Sequence, residues 1–169
     1  MANTDRLSDS RNQQKGKIDK RNPVHWLAVG LGSGLAPRAP GTAGTLVAVP
    51  LVLLSNGLPV WQYIFIVLAG LVAGIWICGV AARQMGVHDD PAIVWDEIIG
   101  FLITMTAAPP GWLWMVIGFV LFRFFDIAKP WPIRAVDQRL GGGLGIMLDD
   151  VLAGLYALVV LQVVIRIVL

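Results

Sequence analysis

The stretch Val60–Ala82, VWQYIFIVLAGLVAGIWICGVAA, decides the fold because it runs for 23 residues without a charged side chain. About 20 apolar residues in a helix cross the hydrocarbon core of a bilayer, so this stretch is long enough to span it. It is part of a longer uncharged run, residues 39–82, which divides at the turn sequence Ser55-Asn56-Gly57-Leu58-Pro59. We therefore expect a short helical piece over Leu46–Leu54, interrupted by Pro50, and a spanning helix after the turn.

Two further apolar runs extend this pattern. Ile98–Phe122 carries no charge but contains Pro109-Pro110-Gly111, and a proline inside a helix removes a donor and clashes with the preceding turn. We expect two half-length helices there, forming a short or re-entrant hairpin. Val151–Leu169 is interrupted only by Gln162 and Arg166 and predicts one longer C-terminal helix. Because no strand-like alternation persists, the expected fold is all-α, a compact multi-helix bundle embedded in a membrane.

The composition also indicates a membrane-embedded body. Hydrophobic residues make up 56% of the chain and charged residues 14%, whereas a soluble domain carries roughly 25% charged residues. The pI near 9.0 comes from residues 1–21, which hold six basic and three acidic side chains, while residues 22–169 hold seven basic and eight acidic. We expect a disordered basic tail over 1–21 and one helical domain over 22–169. This distribution of charge argues against nucleic acid as a partner and is compatible with a tail lying near anionic membrane lipid.

The positions of the charges predict the topology. Apart from Arg166, every basic residue lies in the tail or in one of three segments between apolar runs. These segments are 31–45, 83–97 and 123–150. The turns 55–59 and 108–111 carry no charge, so hairpins would place all the charged segments on one side. The positive-inside rule makes that side cytoplasmic.

Carboxylates gather beside the apolar runs, where they cost free energy unless they are paired or coordinated. After residue 21, seven of the eight acids fall in three groups. The groups are Asp89, Asp90, Asp96 and Glu97; then Asp126; then Asp149 and Asp150. Both Asp96-Glu97 and Asp149-Asp150 are expected to open apolar helices, where a favourable interaction with the helix dipole is the simpler explanation. Each is followed by a glycine, Gly100 or Gly154, that leaves room for another helix to approach closely.

Hard oxygen ligands without cysteine suit Mg²⁺ better than Zn²⁺. The single cysteine, Cys78, lies in an apolar run and is expected to pack there. We therefore predict a Mg²⁺ site built from carboxylates. The expected catalytic residues are Asp96, Glu97, Asp126, Asp149 and Asp150, and the last four of these are the expected metal ligands.

Two segments offer groups for a phosphate. Residues 30–45 form a Gly/Pro/Thr-rich loop before a helix, where backbone N–H groups and the helix N-terminus attract anions. The threonines can instead cap that helix, and a tight packed turn explains the glycines equally well. In the second segment, Arg123 and Asp126 share a helix face, and Pro130 should end the helix at Lys129. The expected substrate-binding residues are Arg38, Gly41, Thr42, Thr45, Arg123 and Lys129.

Four stretches carry a resemblance to a known family. They are AVGLGSGLAPRAPGTAGTL (28–46), MGVHDDPAIVWDEIIG (85–100), FRFFDIAKPWPIR (122–134) and GGGLGIMLDDVLAG (141–154). Together, and in this order, they resemble the phosphatidylglycerophosphatase A family. The resemblance implies a Mg²⁺-dependent phosphoric monoester hydrolase of the bacterial inner membrane. It would convert phosphatidylglycerophosphate to phosphatidylglycerol and inorganic phosphate, the last step in the synthesis of that phospholipid.

Other functions remain open at this point. Activity on other lipid phosphates is the nearest alternative. A small transporter would place carboxylates near the middle of the bilayer, whereas the sequence places them at the ends of apolar runs. A phosphotransferase that uses nucleotide-activated alcohols would require a long Asp-Gly…Gly…Asp…Asp pattern, which the sequence lacks. A helical membrane protein without activity is the least specific alternative.

Overall fold

The computed structural model describes residues 18–19, 21–87 and 90–169. The described residues form helices and connecting turns and include no strand, which confirms the all-α prediction. The helices are α1 Pro23–Ala28, a 3₁₀ segment Gly30–Leu35, α2 Pro40–Leu54, α3 Val60–Met85, α4 Trp95–Thr104, α5 Trp112–Ala128, α6 Ile133–Arg139 and α7 Gly142–Val168. Most of the expected tail, together with His88 and Asp89, lies outside the described residues, so the boundary at residue 21 stays a prediction.

The helix ends follow the predicted turns with two exceptions. The breaks at 55–59 and 105–111 separate α2 from α3 and α4 from α5, and α5 ends just before Lys129. Pro50 does not interrupt a helix but lies inside α2, on its exposed side. The expectation that Asp149 and Asp150 open a helix is wrong, because α7 begins at Gly142, two turns earlier. The Gly142–Gly145 stretch joins the helix since Gly143 and Gly145 pack directly against the Ile75 and Leu140 carbonyls, where a larger residue would clash.

Among the described residues, two helices, α3 and α7, are long and apolar enough to cross a membrane. On α3 the large apolar side chains Trp61, Phe65 and Val72 point outward and are about 70% exposed, at 68%, 70% and 69%. A soluble protein rarely exposes such a continuous apolar stripe, whereas lipid is its natural neighbour. The expectation of long apolar helices of membrane-spanning length is therefore confirmed, including the C-terminal one.

The short helix α4 lies at the centre of the bundle. Eight of its ten residues are buried, and α2, α3, α5 and α7 all pack against it. Its closest neighbour is α7, because Gly100 and Gly154 face each other across the crossing point. A Cβ on Gly154 would lie 2.5 Å from the Gly100 carbonyl oxygen, and a Cβ on Gly100 would lie 2.8 Å from the Asp150 carbonyl oxygen. The predicted role of both glycines in close helix approach is confirmed.

The two uncharged turns lie together at one end of the bundle. Residues 55–58 and 107–111 line a common cavity of about 300 Å³, which also contacts Tyr63 and Met115. The first turns of α4 and the N-terminal half of α7, which carry the acidic pairs, lie toward the other end. Sequence-distant acids on α4, α5 and α7 are thus brought to the same region of the molecule.

Candidate metal and phosphate site

Three carboxylates from two helices form the centre of the site. Asp96 and Glu97 stand in the first turn of α4, and Asp150 stands in the third turn of α7. Each side chain offers an oxygen within 4.8 Å of the other two, which is close enough for all three to hold one metal ion. The Gly100–Gly154 crossing, one turn deeper along both helices, sets this separation.

The centre is buried and is strongly negative. Asp96 and Asp150 are almost fully buried, and Glu97 is 14% exposed at its side chain. Asp96 Oδ1 and Glu97 Oε2 are shielded from solvent and accept no hydrogen bond from the described residues. Burial raises the pKa of Glu97 to about 7 and raises the pKa of Asp96 well above its ordinary value, helped by the neighbouring Glu97 and Asp150. Buried carboxylates in this state require a proton or a cation, so the donor set fits a metal.

Arg123 and Asp126 lie on α5 at the edge of the carboxylates. Arg123 Nη1 lies 2.6 Å from Asp126 Oδ2 and 4.0 Å from Glu97 Oε1. The Asp126 carboxylate is also close enough to Asp150 for the two groups to interact electrostatically. Arg123 is the cation that partly balances the acids, and it is positioned by the i, i+3 spacing that the sequence predicts.

The N-terminus of α2 points at the same place. Gly41 sits so close to Glu97 Oε1 and to the Arg123 guanidinium that a Cβ would clash with them. Because α2 begins at Pro40, Gly41 and Thr42 belong to its first turn, where backbone N–H groups have no partner within the helix. The threonines do not cap this helix, since its N-cap residue is Ala39 and makes no side-chain bond.

The other two expected phosphate ligands of this region are placed differently. Thr45 is fully buried, and its hydroxyl donates to the Gly41 carbonyl oxygen at 2.9 Å, so it stabilises the first turn of α2. Arg38 is exposed on the loop that leads into α2. Neither side chain joins the carboxylates in this arrangement.

Lys129 and Asp149 form a second polar contact beside the centre. Lys129 Nζ donates to Asp149 Oδ2 at 2.7 Å and to Asp137 Oδ1 at 2.9 Å. Partial burial opposes the charge, but the Asp149 and Asp137 carboxylates outweigh it and raise the pKa of Lys129 above its ordinary value. Asp149 is therefore directed at Lys129, while its neighbour Asp150 is directed at Asp96 and Glu97.

The structure thus arranges the predicted residues in a way that the sequence does not reveal. Asp96, expected to be catalytic but not a ligand, shares the candidate metal position with Glu97 and Asp150. Of the other two expected ligands, Asp126 pairs with Arg123, and Asp149 pairs with Lys129. Asp137 is part of the polar cluster although sequence reasoning did not select it, because a single acid on a short helix has no distinguishing pattern.

Comparison with known proteins identifies the family of the chain. The family model described as phosphatidylglycerophosphatase A matches residues 26–165. The chain is 50% identical over 142 residues to the phosphatidylglycerophosphatase A of Escherichia coli (strain K12), covering 83% of this chain and 82% of that protein. It is 46% identical over 153 residues to the phosphatidylglycerophosphatase A of Haemophilus influenzae, covering 89% and 94%. The resemblance carried by the four sequence stretches is confirmed.

A third relative has a different printed activity. The chain is 40% identical over 145 residues to a putative phosphatidylinositol-3-phosphatase of Bacteroides thetaiotaomicron, covering 81% of this chain and 90% of that protein. No solved structure matches the chain significantly.

Proposed function

Because the chain belongs to the phosphatidylglycerophosphatase A family, we propose that it hydrolyses phosphatidylglycerophosphate to phosphatidylglycerol and inorganic phosphate. The reaction breaks a phosphoric monoester at the headgroup of a membrane lipid. The single observation that carries this proposal is the buried cluster of Asp96, Glu97 and Asp150 beside Arg123, in a chain with 50% identity to a phosphatase of that name.

The metal that best suits the cluster is Mg²⁺. Its ligands would be Asp96, Glu97 and Asp150, because they are the carboxylates whose oxygens converge within 4.8 Å. An all-oxygen donor set without cysteine or histidine favours a hard divalent cation. When bound, Mg²⁺ would neutralise charge on the phosphoryl oxygens.

Arg123, Lys129 and the first turn of α2 would bind the phosphate. Arg123 presents a guanidinium between Glu97 and Asp126, and arginine is suited to bidentate phosphate contacts. The N–H groups of Gly41 and Thr42 add donors at a helix N-terminus, and Lys129 adds a cation at the more exposed edge. Together these groups would hold the negatively charged phosphate against carboxylates that would otherwise repel it.

Asp126 is the candidate for a general base. It lies beside both Arg123 and Asp150, and its side chain is only 14% exposed, so it can orient a water molecule next to the phosphorus. Arg123 would hold the Asp126 carboxylate in place. Direct attack by water accounts for the reaction without a covalent intermediate.

We place the site on the cytoplasmic side of the bacterial inner membrane. The support is the charge pattern, since the charged segments share one end of the bundle and the uncharged turns 55–59 and 108–111 share the other. The apolar outer faces of α3 and α7 would contact membrane lipid, and a lipid substrate would reach the site from the same leaflet.

The test is phosphate release by the purified protein from three lipid phosphates and one control lipid under identical detergent conditions. They are phosphatidylglycerophosphate, phosphatidic acid, phosphatidylinositol-3-phosphate and a lipid without a phosphomonoester. We expect the highest kcat/KM with phosphatidylglycerophosphate and none with the last. Absence of turnover with phosphatidylglycerophosphate, by protein that is folded and monodisperse, would refute the proposal.

A second candidate is supported by one observation. The 40% identity to a putative phosphatidylinositol-3-phosphatase allows an inositol lipid phosphate as substrate. The same assay decides between them, because a higher kcat/KM for phosphatidylinositol-3-phosphate would favour the second candidate.

A further inference from the structure

Lys129 occupies a constrained position at the end of α5. It adopts a left-handed backbone conformation, with φ of 41°, and its N–H donates to the Phe125 carbonyl oxygen at 2.9 Å. Pro130 follows and prevents the helix from continuing. Since Lys129 is three residues beyond Asp126, its side chain leaves the backbone about one turn from the carboxylate centre, toward the more exposed edge.

The backbone alone does not fix the ammonium group. A lysine side chain has four rotatable bonds along its carbon stem and loses rotamer entropy when it is held in one position. The side chain of Lys129 is 28% exposed, so part of it has room to move. Two carboxylates hold it instead, with Asp149 at 2.7 Å on one side and Asp137 at 2.9 Å on the other.

These two carboxylates differ in surroundings. Asp149 belongs to α7 next to Asp150, and its side chain is only 11% exposed. Asp137 belongs to α6, and its side chain is 36% exposed. Helix α6 is anchored by Ile133, which is fully buried, and Asp137 lies four residues later on the same helix face. The packing of α6 against α7 therefore delivers Asp137 to the ammonium group from the outer side.

We propose that Asp137 is a positioning residue, which holds the Lys129 ammonium group at the edge of the carboxylate centre where the phosphate of the substrate would bind. The inference rests on the phosphate-binding role given above to Lys129. Asp137 itself does not contact the substrate in this account. Its removal leaves Lys129 paired with Asp149 alone and free to turn toward solvent on the α6 side.

The main test compares Asp137→Asn with wild type. An exposed ion pair is worth about 0.2–1 kcal/mol, so we expect KM for phosphatidylglycerophosphate to rise about 1.5- to 5-fold. The kcat value should change little, and the inhibition constant of inorganic phosphate should rise with KM. The matched control is Asp19→Asn, which removes one exposed negative charge in the segment before α1. This substitution should leave KM and the inhibition constant of inorganic phosphate unchanged.

A double-mutant cycle separates positioning from a structural effect. In a Lys129→Gln background, Asp137→Asn should cause no further change in kcat/KM, because the group that Asp137 positions is gone. Asp137→Glu retains the charge and should recover most of the lost affinity. If the Asn variant is recovered in low yield, Asp137→Ser removes the same charge and serves in its place.

Several results would overturn the inference. They are an unchanged KM in Asp137→Asn, an equal loss of kcat/KM in the Lys129→Gln background, and a fall in kcat at constant KM. Failure of the proposed function is recognised separately, because wild type would then release no phosphate from phosphatidylglycerophosphate. A lowered melting temperature without a change in KM would show that Asp137 only tethers α6.

Discussion

Asp149 and Asp150 are adjacent in the sequence and yet contact different partners. Successive residues of an α-helix point about 100° apart. Because Asp149 and Asp150 both lie inside α7, their side chains face different neighbours. Asp150 turns toward Asp96 and Glu97 on α4, whereas Asp149 turns toward Lys129 at the end of α5. At the residue scale, the chemistry of the site therefore depends on the helical phase of α7.

We expect substitutions of the two aspartates to have different effects. Asp150→Asn removes a charged ligand from the candidate metal position, and electrostatic stabilisation by a metal is worth several kcal/mol. Phosphate release should fall by about 100-fold or more, because each 1.4 kcal/mol is a factor of ten. Asp149→Asn should raise KM, because Lys129 loses one of its carboxylate partners, and should lower kcat less than Asp150→Asn does. Steady-state assays of both variants check this, and an equal loss of kcat in the two would contradict the assignment.

Glycines decide how the elements approach each other. At the crossing of α4 and α7, Gly100 and Gly154 bring the two backbones together, and this crossing lies one turn from the three carboxylates. Thr104 strengthens it, since its hydroxyl lies 3.4 Å from the Gly154 carbonyl oxygen on α7, in addition to 3.0 Å from the Gly100 carbonyl oxygen within α4. The same elements that form the core therefore also set the distances within the site.

Gly154→Ala should destabilise the protein and reduce activity together. The new Cβ would meet the Gly100 carbonyl oxygen at 2.5 Å, and backbone cannot yield without separating the helices. We expect a loss of about 1–3 kcal/mol of stability and reduced turnover. Thermal unfolding in detergent measures the first and phosphate release the second.

The matched control for this substitution is Gly118→Ala on α5. There the new Cβ would meet Met105 Sδ, also at 2.5 Å, which belongs to a flexible side chain that can move aside. The control should lose less stability and little activity. If Gly118→Ala is as damaging as Gly154→Ala, the α4–α7 crossing has no special role.

At the scale of the whole molecule, the acidic side chains described are gathered toward one end. The uncharged turns 55–58 and 107–111 meet around a shared cavity at the opposite end, where Arg166 lies near Ala107, whereas the carboxylates lie toward the end with Arg123 and Lys129. The molecule thus has an apolar lateral surface that can face lipid, one end that carries the candidate site and an opposite end that does not. The transporter alternative finds no support in a cluster that joins a candidate metal position to Arg123 and Lys129.

Cysteine accessibility tests this orientation. The native Cys78 is buried and is replaced by alanine, after which single cysteines are placed at Asn56 and at Gln138. In intact cells a membrane-impermeant thiol reagent should label position 56 and not position 138, because residue 56 lies in the uncharged turn. Labelling of position 138 alone would place the site on the opposite side of the membrane.

Most of the helices, their ends and the polar clusters could be predicted from the sequence, for identifiable physical reasons. Runs such as Val60–Ala82 predict helices because length and apolarity suffice, and the turns 55–59 and 108–111 predict their ends because proline and glycine act locally. The polar clusters were predictable as a group, since acids beside apolar runs need partners. Local sequence patterns are therefore enough to predict the all-α fold and a site built from clustered carboxylates.

The pairing of individual residues could not be predicted. The start of α7 at Gly142 depends on packing of Gly143 against the Ile75 carbonyl, which no local pattern encodes. The crossing of Gly154 with Gly100 fixes which aspartate faces α4, because Asp150 lies four residues before Gly154 on the same helix face. The burial of the Thr45 hydroxyl and the contact of Asp137 with Lys129 likewise depend on how separate helices dock.

We expect the buried cluster of Asp96, Glu97 and Asp150 to act as a metal-dependent phosphatase centre. The most direct measurement is phosphate release from phosphatidylglycerophosphate by wild type and by Glu97→Gln, each titrated with Mg²⁺ after treatment with a chelator. We predict that wild type is inactive in chelator and recovers with Mg²⁺, whereas Glu97→Gln stays at least about 100-fold less active at saturating Mg²⁺. Equal activity of wild type with chelator and with Mg²⁺, or full activity of Glu97→Gln, would contradict the account.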